Sequence, residues 1–351
     1  MPEASDLVIA RQGHFWVGGT RRETDQGTVA AGHMFVQYQV PRDVRCPYPI
    51  VMVHGGGGQG LDFLTTPDGR PGWATFFLRE GYSVYVVDRP GHGRARGATS
   101  GSGFTDLPTF EDMGELLFGG KAPAEAHGGS PKWPGPLTTA SEIVDQFYLS
   151  QGPISTDTAS AELEMQRAGN ALMDRIGPAI LLTHSLGGPY GWLVADSRPQ
   201  MVKAIVAIEP AGPPFGEVAP GAGSLSWGVT ASPIEYLPVV RSPSQLRVET
   251  RAAPRTGLSH CLVQSDPPAQ LKNLLRLPVL LVTAERSPSA LFDHGTVAYL
   301  LQAGVAVEHL RLEEVGIVGN SHMMMLESNS DDIAKHLVAW LQRVASPLAN
   351  C

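Results

Sequence analysis

The stretch Ala179-Ile-Leu-Leu-Thr-His-Ser185-Leu-Gly-Gly188 decides how this chain is read. Residues 179–183 can all sit in a strand buried on both faces, as in the interior of a parallel sheet. The run passes into His184-Ser185-Leu186-Gly187-Gly188, and a helical pattern resumes with Tyr190, Trp192, Leu193 and Val194. A strand that turns this sharply into a helix lifts the serine hydroxyl to the end of the sheet, above the electropositive helix N-terminus. The usual spacing of such a turn is G-x-S-x-G, and here Thr183 stands where the first glycine would be. Taken alone, the turn reads equally well as a strand-to-helix connection whose serine only caps the helix.

Working outward, short strand-like segments recur at 49–53, 82–88, 203–208, 278–283 and 306–311, most of them apolar. Two alternating segments, 14–18 and 34–40, precede them and read as an antiparallel pair at a sheet edge, with a polar, turn-like 21–32 between. Helical patterns fall at 73–80, 139–151, 158–176, 269–276, 294–302 and 331–344. Strands alternating with helices predict an α/β fold: a mostly parallel, eight-stranded sheet flanked by helices, in one domain of 351 residues. The alternation lapses at 98–136 and 213–255, which are rich in Gly, Pro and Ser. Scattered through them are Phe104, Phe110, Leu116, Leu117, Phe118 and Trp133, then Phe215, Trp227 and Tyr236. Long irregular stretches inside a compact domain are usually functional, so both are read as cap or lid segments.

An activated serine needs a base, a group to orient the base, and N–H donors for a developing oxyanion. Ser185 is the nucleophile expected from the turn. His322, in Gly319-Asn-Ser-His322 after the last strand, is the expected base, because loops at the carboxyl ends of parallel strands share one edge. The donors are expected from Gly56 and Gly57 in His54-Gly-Gly-Gly-Gly58, with the N–H of Leu186; His54 is read as a structural tie for the loop. The acid is less direct. After 278–283 the chain continues Ala284-Glu285-Arg286-Ser287, so Ser287 stands where an Asp is expected, with Glu285 and Asp293 nearby but shifted. Glu209 ends the strand beside the serine strand, in Glu209-Pro-Ala-Gly212. A carboxylate at that buried edge is costly unless paired, so Glu209 is favoured over Glu285 and Asp293.

Composition narrows the class. Net charge is 26 − 34 = −8 without a basic block, which argues against nucleic acid or an anionic membrane surface as partner. No apolar run approaches membrane-spanning length, and the N-terminal residues lack the order of a signal peptide. Three separated cysteines (Cys46, Cys261, Cys351) fit reduced thiols, and a cytoplasmic location is expected. A second class stays open, because Gly55, Gly57 and Gly60 satisfy G-x-G-x-x-G and Asp88 ends the next strand, as in a nicotinamide-dependent oxidoreductase. A third reading is a non-catalytic ligand-binding protein on the same fold.

On Val53-His-Gly-Gly-Gly-Gly-Gln-Gly60, Asp88-Arg-Pro-Gly-His-Gly93, Ile208-Glu-Pro210 and His322-Met-Met-Met-Leu-Glu327, the chain resembles the α/β-hydrolase superfamily over essentially its whole length. Within it the chain is similar to bacterial esterases with a Ser-His-Glu triad, the Glu following the sixth strand. That resemblance implies Ser185 as nucleophile, His322 as base and Glu209 as acid, in a carboxylic ester hydrolase that works through an acyl-enzyme without cofactor or metal. Lactone or amide cleavage on the same triad stays open. The expected partner is a small-molecule ester with an apolar or aromatic part, and a homodimer is allowed for. The vicinal disulfide of some members has no counterpart here, since no two cysteines are adjacent.

Overall fold

The computed structural model describes residues 6–96, 103–118, 130–136, 138, 140–218 and 222–345, with the side chains of 115–118 outside that description. Leu116, Leu117 and Phe118 as side chains, Cys351, and part of the 98–136 segment therefore lie outside the described residues. Eight strands make the main sheet: β1 (Ile9–Val17), β2 (Met34–Pro41), β3 (Ile50–Val53), β4 (Val84–Asp88), β5 (Ala179–His184), β6 (Val202–Ile208), β7 (Pro278–Thr283) and β8 (Ala306–Arg311). Their spatial order is β1-β2-β4-β3-β5-β6-β7-β8. β2 pairs antiparallel with β1 and β4, and every later pairing is parallel. The expected mostly parallel eight-stranded sheet is what forms.

Both faces of the sheet are covered, which is why the central strands are apolar throughout. All residues of β3 and β5 are buried. On one face Met52, Val86, Leu182 and Val206 pack with Trp73 and Phe77 of α1 (Trp73–Arg79). Leu337 and Leu341 of α7 (Ser330–Val344) join the same cluster. On the other face Val53, Leu181 and Ile205 meet Leu172 of α4 (Thr158–Ile176), Trp192 of α5 (Gly187–Ser197) and Leu300 of α6 (Asp293–Gln302). Strand order reverses direction about β3, so the loops leaving β3 and β5 diverge and open a crevice at the carboxyl edge. Ligands bind at such a switch point.

Three local expectations are corrected. Residues 21–32 are not a plain turn but lie within an exposed hairpin, Thr20–Thr24 paired with Gly27–Ala31. Residues 269–276 are not a helix. Gln270–Leu271 pairs with Tyr236–Leu237, and two successive three-residue turns then bring Leu274 N–H to Leu271 O and Leu277 N–H to Leu274 O. Turns of three residues repeat leucines at a helix-like spacing, which misled the pattern. The irregular 98–136 contains a helix, α2 (Phe110–Phe118). Its start is a capping box: Asp112 N–H donates to Thr109 Oγ1 (3.1 Å) and Thr109 N–H to Asp112 Oδ2 (3.2 Å). The expected helix at 139–151 is α3 (Glu142–Ser150).

Candidate active site

The loops after β3, β5, β6, β7 and β8 meet at the carboxyl edge. Ser185 adopts the left-handed conformation (φ 51°), strained for any residue but Gly. Neighbouring contacts hold it there: Ser185 N–H donates to Ile208 O (3.0 Å) and Ala211 N–H to Ser185 O (2.9 Å), so the serine turn is tied to the turn after β6. Gly187 is required by space, since a Cβ there would lie 2.7 Å from Val53 O. Thr183 is accommodated in place of the usual glycine because the helix residue opposite is Gly191, where a Cβ would lie 2.8 Å from Thr183 Cγ2.

His322 is held from three sides. Buried Glu327 accepts from Ser321 N–H (2.9 Å), Ser321 Oγ (2.7 Å) and Asn320 Nδ2 (2.6 Å), which fixes the loop just before it. The His184 ring lies 4.6 Å from the His322 ring, and its Nε2–H donates to His322 O (3.1 Å). Burial holds His184 well below the usual imidazole pKa, so it stays neutral. On the third side His322 Nδ1 lies 2.5 Å from Glu209 Oε2.

Glu209 is fully buried and, like Ser185, takes a left-handed backbone (φ 43°). Its N–H donates to Val282 O (3.0 Å), and its Oε1 accepts from Ala284 N–H (2.7 Å), latching the turn to β7. Oε2 also accepts from Ser287 Oγ (2.5 Å). Glu285 is engaged elsewhere, with Oε1 accepting from Gly319 N–H (2.6 Å). Asp293 is buried, and its Oδ2 accepts from Thr283 Oγ1 (2.7 Å); burial, then the charge of Glu209, raises its pKa well above the usual range.

A cavity of about 500 Å³ opens over this edge, lined by Ser185, His322, Gly56, Gly57 and Leu186. Its far wall comes from Thr105 to Met113, Phe147 of α3 and Ile154, with Val218 from the second irregular segment. Trp133 is packed edge-on against Phe147, at 5.8 Å, and is buried. Trp227, Val229 and Tyr236 pack in the core on the α4–α6 side. Buried Asp62 also lines the cavity, its carboxyl pushed up to about 7 by burial.

The glycine loop lacks the context of a dinucleotide site. Gly60 opens a four-residue 3-10 turn, Gly60–Phe63, rather than a long helix. The Asp88 carboxylate is occupied by Gly60 N–H (2.7 Å) and Arg94 Nε (2.7 Å). His54 ties the loop at both ring nitrogens, Nδ1 to Gly55 O (2.9 Å) and Nε2 to Arg89 N–H (3.0 Å). Sequence reasoning gave no role to Arg89, Ser287 or His184. Ser287 had a signal, in that it stands where an Asp was expected.

Residues 48–227 match the family model described as "alpha/beta hydrolase fold". The chain is 42% identical over 319 residues to a "Probable secreted lipase phiG" from Fungal sp. (strain ATCC 74256), covering 88% of this chain and 86% of that protein. The structure described as "The Atomic Resolution Structure of a Novel Bacterial Esterase" shares the fold at TM-score 0.67 and 23% identity, covering 98% of each chain. A naproxen esterase (carboxylesterase NP) from Bacillus subtilis aligns over 94% of this chain and 92% of its own at 13% identity, with a TM-score of 0.42. The expected class of ester hydrolase is borne out by the 42% identical relative, named a lipase, but the bacterial ascription is not, since that relative is fungal. The expected cytoplasmic location is overturned by that relative's name, a secreted lipase. Reduced cysteines misled because a chain with a large apolar core folds without disulfides in either compartment. By the family match and this relative, the chain belongs to the α/β-hydrolase-fold family.

Proposed function

We propose that the chain is an extracellular carboxylic ester hydrolase acting through a Ser185–His322–Glu209 triad and an acyl-enzyme. Ser185 Oγ attacks the ester carbonyl carbon while His322 Nε2 takes its proton. The resulting oxyanion is received by the N–H groups of Gly56, Gly57 and Leu186. Collapse expels the alcohol, protonated by His322, and water repeats the sequence on the acyl-enzyme. Glu209 accepts from Nδ1–H, fixes the tautomer and stabilises the imidazolium. The observation that supports this most is the buried 2.5 Å pairing of His322 Nδ1 with Glu209, behind a ring that shares the cavity with Ser185.

In this reading the described residues 105–113 of the first irregular segment act as a cap over the site, with 213–255 contributing Val218 to the cavity wall. Leu107, Met113, Phe147, Ile154 and Val218 suit a substrate with an apolar or aromatic part. A panel of chromogenic esters, lactones and amides, run with wild type and Ser185→Ala, tests the reading. Esters are expected to turn over fastest and Ser185→Ala to abolish that turnover; ester cleavage that survives in Ser185→Ala would contradict it.

A further inference from the structure

Arg89 follows β4 and is buried, 3% exposed. Its guanidinium reaches the back of the glycine loop. Nη2 donates to Gly55 O and to Gly56 O, the latter at 2.7 Å, while Nη1 donates to Tyr190 Oη (2.7 Å). Its Cζ lies 4.8 Å from the centre of the Tyr190 ring. His92 lies beside it: Nδ1–H donates to Pro90 O (3.0 Å), which leaves Nε2 unprotonated, 3.4 Å from Arg89 Nη2. Burial, then the Arg89 charge, lowers His92 to about 3 and His54 well below its usual range, so both imidazoles are neutral. A guanidinium stays cationic under all working conditions. The two carbonyls and the Tyr190 hydroxyl that it donates to are neutral.

The carbonyls of Gly55 and Gly56 belong to the peptide units whose N–H groups are those of Gly56 and Gly57. In a trans peptide, C=O and N–H point in opposite directions. With both carbonyls held on one cation, both N–H groups point away from it, on the side where Gly56 and Gly57 line the cavity. We propose that Arg89 is a positioning residue for the oxyanion site: it fixes two successive peptides with their N–H groups toward the ester oxygen, and its charge behind them strengthens both donors as negative charge develops. This rests on the triad reading with Gly56 and Gly57 as donors. Adding the bond lengths along one peptide puts the guanidinium roughly 7–8 Å from that oxygen. At that range, in a partly shielded interior, a unit charge changes the rate by about 10- to 100-fold.

The test compares an ester with its thionoester, whose sulfur is a poor acceptor of the same N–H groups. Arg89→Met, with Tyr190→Phe and Arg89→Lys as milder variants, is assayed on both substrates after a thermal melt establishes folding. Arg89→Met is expected to lower kcat on the oxo ester by about 10- to 100-fold with KM within about threefold, and to shrink the oxo/thiono rate ratio by a similar factor. Arg89→Lys and Tyr190→Phe should shrink the ratio less, in the same direction. A general loosening of the fold slows both substrates alike and leaves the ratio unchanged; that result in Arg89→Met overturns the proposal. If Arg89→Met does not fold, an unchanged ratio in both milder variants overturns it equally. Ser185→Ala separates the two readings. Residual ester turnover there means the triad reading has failed, whereas an inactive Ser185→Ala beside unchanged ratios means only the role of Arg89 has.

Discussion

The turns after β6 and β7 lie side by side on the same sheet edge, yet they hold opposite chemistry. The turn after β7 places Ser287 where a shorter carboxylate was expected, and the turn after β6 carries Glu209. Ser287 donates to Glu209 Oε2, and Ala284 N–H donates to Oε1, so the turn after β7 supplies hydrogen bonds to the carboxylate of the turn after β6. The three candidate carboxylates, Glu209, Glu285 and Asp293, are all buried. Of these three, Glu209 meets the His322 ring, while Glu285 is spent on Gly319 and Asp293 on Thr283. The difference teaches that, in the proposed triad, the acid is set by the donors surrounding a carboxylate and by reach to the ring, rather than by its strand of origin. The longer Glu side chain spans the one-strand offset.

The comparison breaks most visibly at Glu209. Glu209→Gln keeps the shape but loses the charge that stabilises imidazolium, and kcat is expected to fall on the order of 10⁴-fold with KM little changed. Steady-state kinetics on folded protein checks this. Ser287→Ala removes one charge-assisted hydrogen bond while leaving the Ala284 N–H in place, so a loss of about tenfold in kcat is expected. Glu285→Gln retains an oxygen acceptor for Gly319, and activity should stay within about threefold of wild type, with any change appearing in the melting temperature instead.

The smallest effect concerns stability against pH. Burial raises the carboxyls of Asp62, Glu162 and Glu327 to about 7 and that of Asp196 to about 6. Below about pH 4 these groups are protonated in both folded and unfolded chains, so they add no dependence. Between about 4 and 7 the folded chain keeps protons that the unfolded chain has released, so their contribution to stability falls as pH rises. Glu162→Gln should therefore flatten the fall in melting temperature across that window. An unchanged slope in a pH series of melts would count against the assignment.

The sheet was legible because strands covered on both faces are largely apolar, as β3, β5, β6 and β7 are. Gly187 and the left-handed Ser185 were legible as a turn because nothing larger than glycine fits beside β3. Helix α2 was hidden by the Gly, Pro and Ser around it, although Thr109-Phe-Glu-Asp112 is a capping signal. The 269–276 segment shows the reverse error, with leucine spacing that turns produce as readily as a helix. Arg89 and His184 were not legible at all. Their roles come from which carbonyl a buried side chain meets, and a single chain without contacts does not carry that information.

The most direct measurement is the rate at which an organophosphonate modifies the protein, with the adduct located by peptide mass. The account predicts one adduct, on Ser185, forming at least about 10³-fold more slowly in Glu209→Gln and at nearly the wild-type rate in Glu285→Gln. An adduct on another residue, or slowing in Glu285→Gln with none in Glu209→Gln, would contradict it.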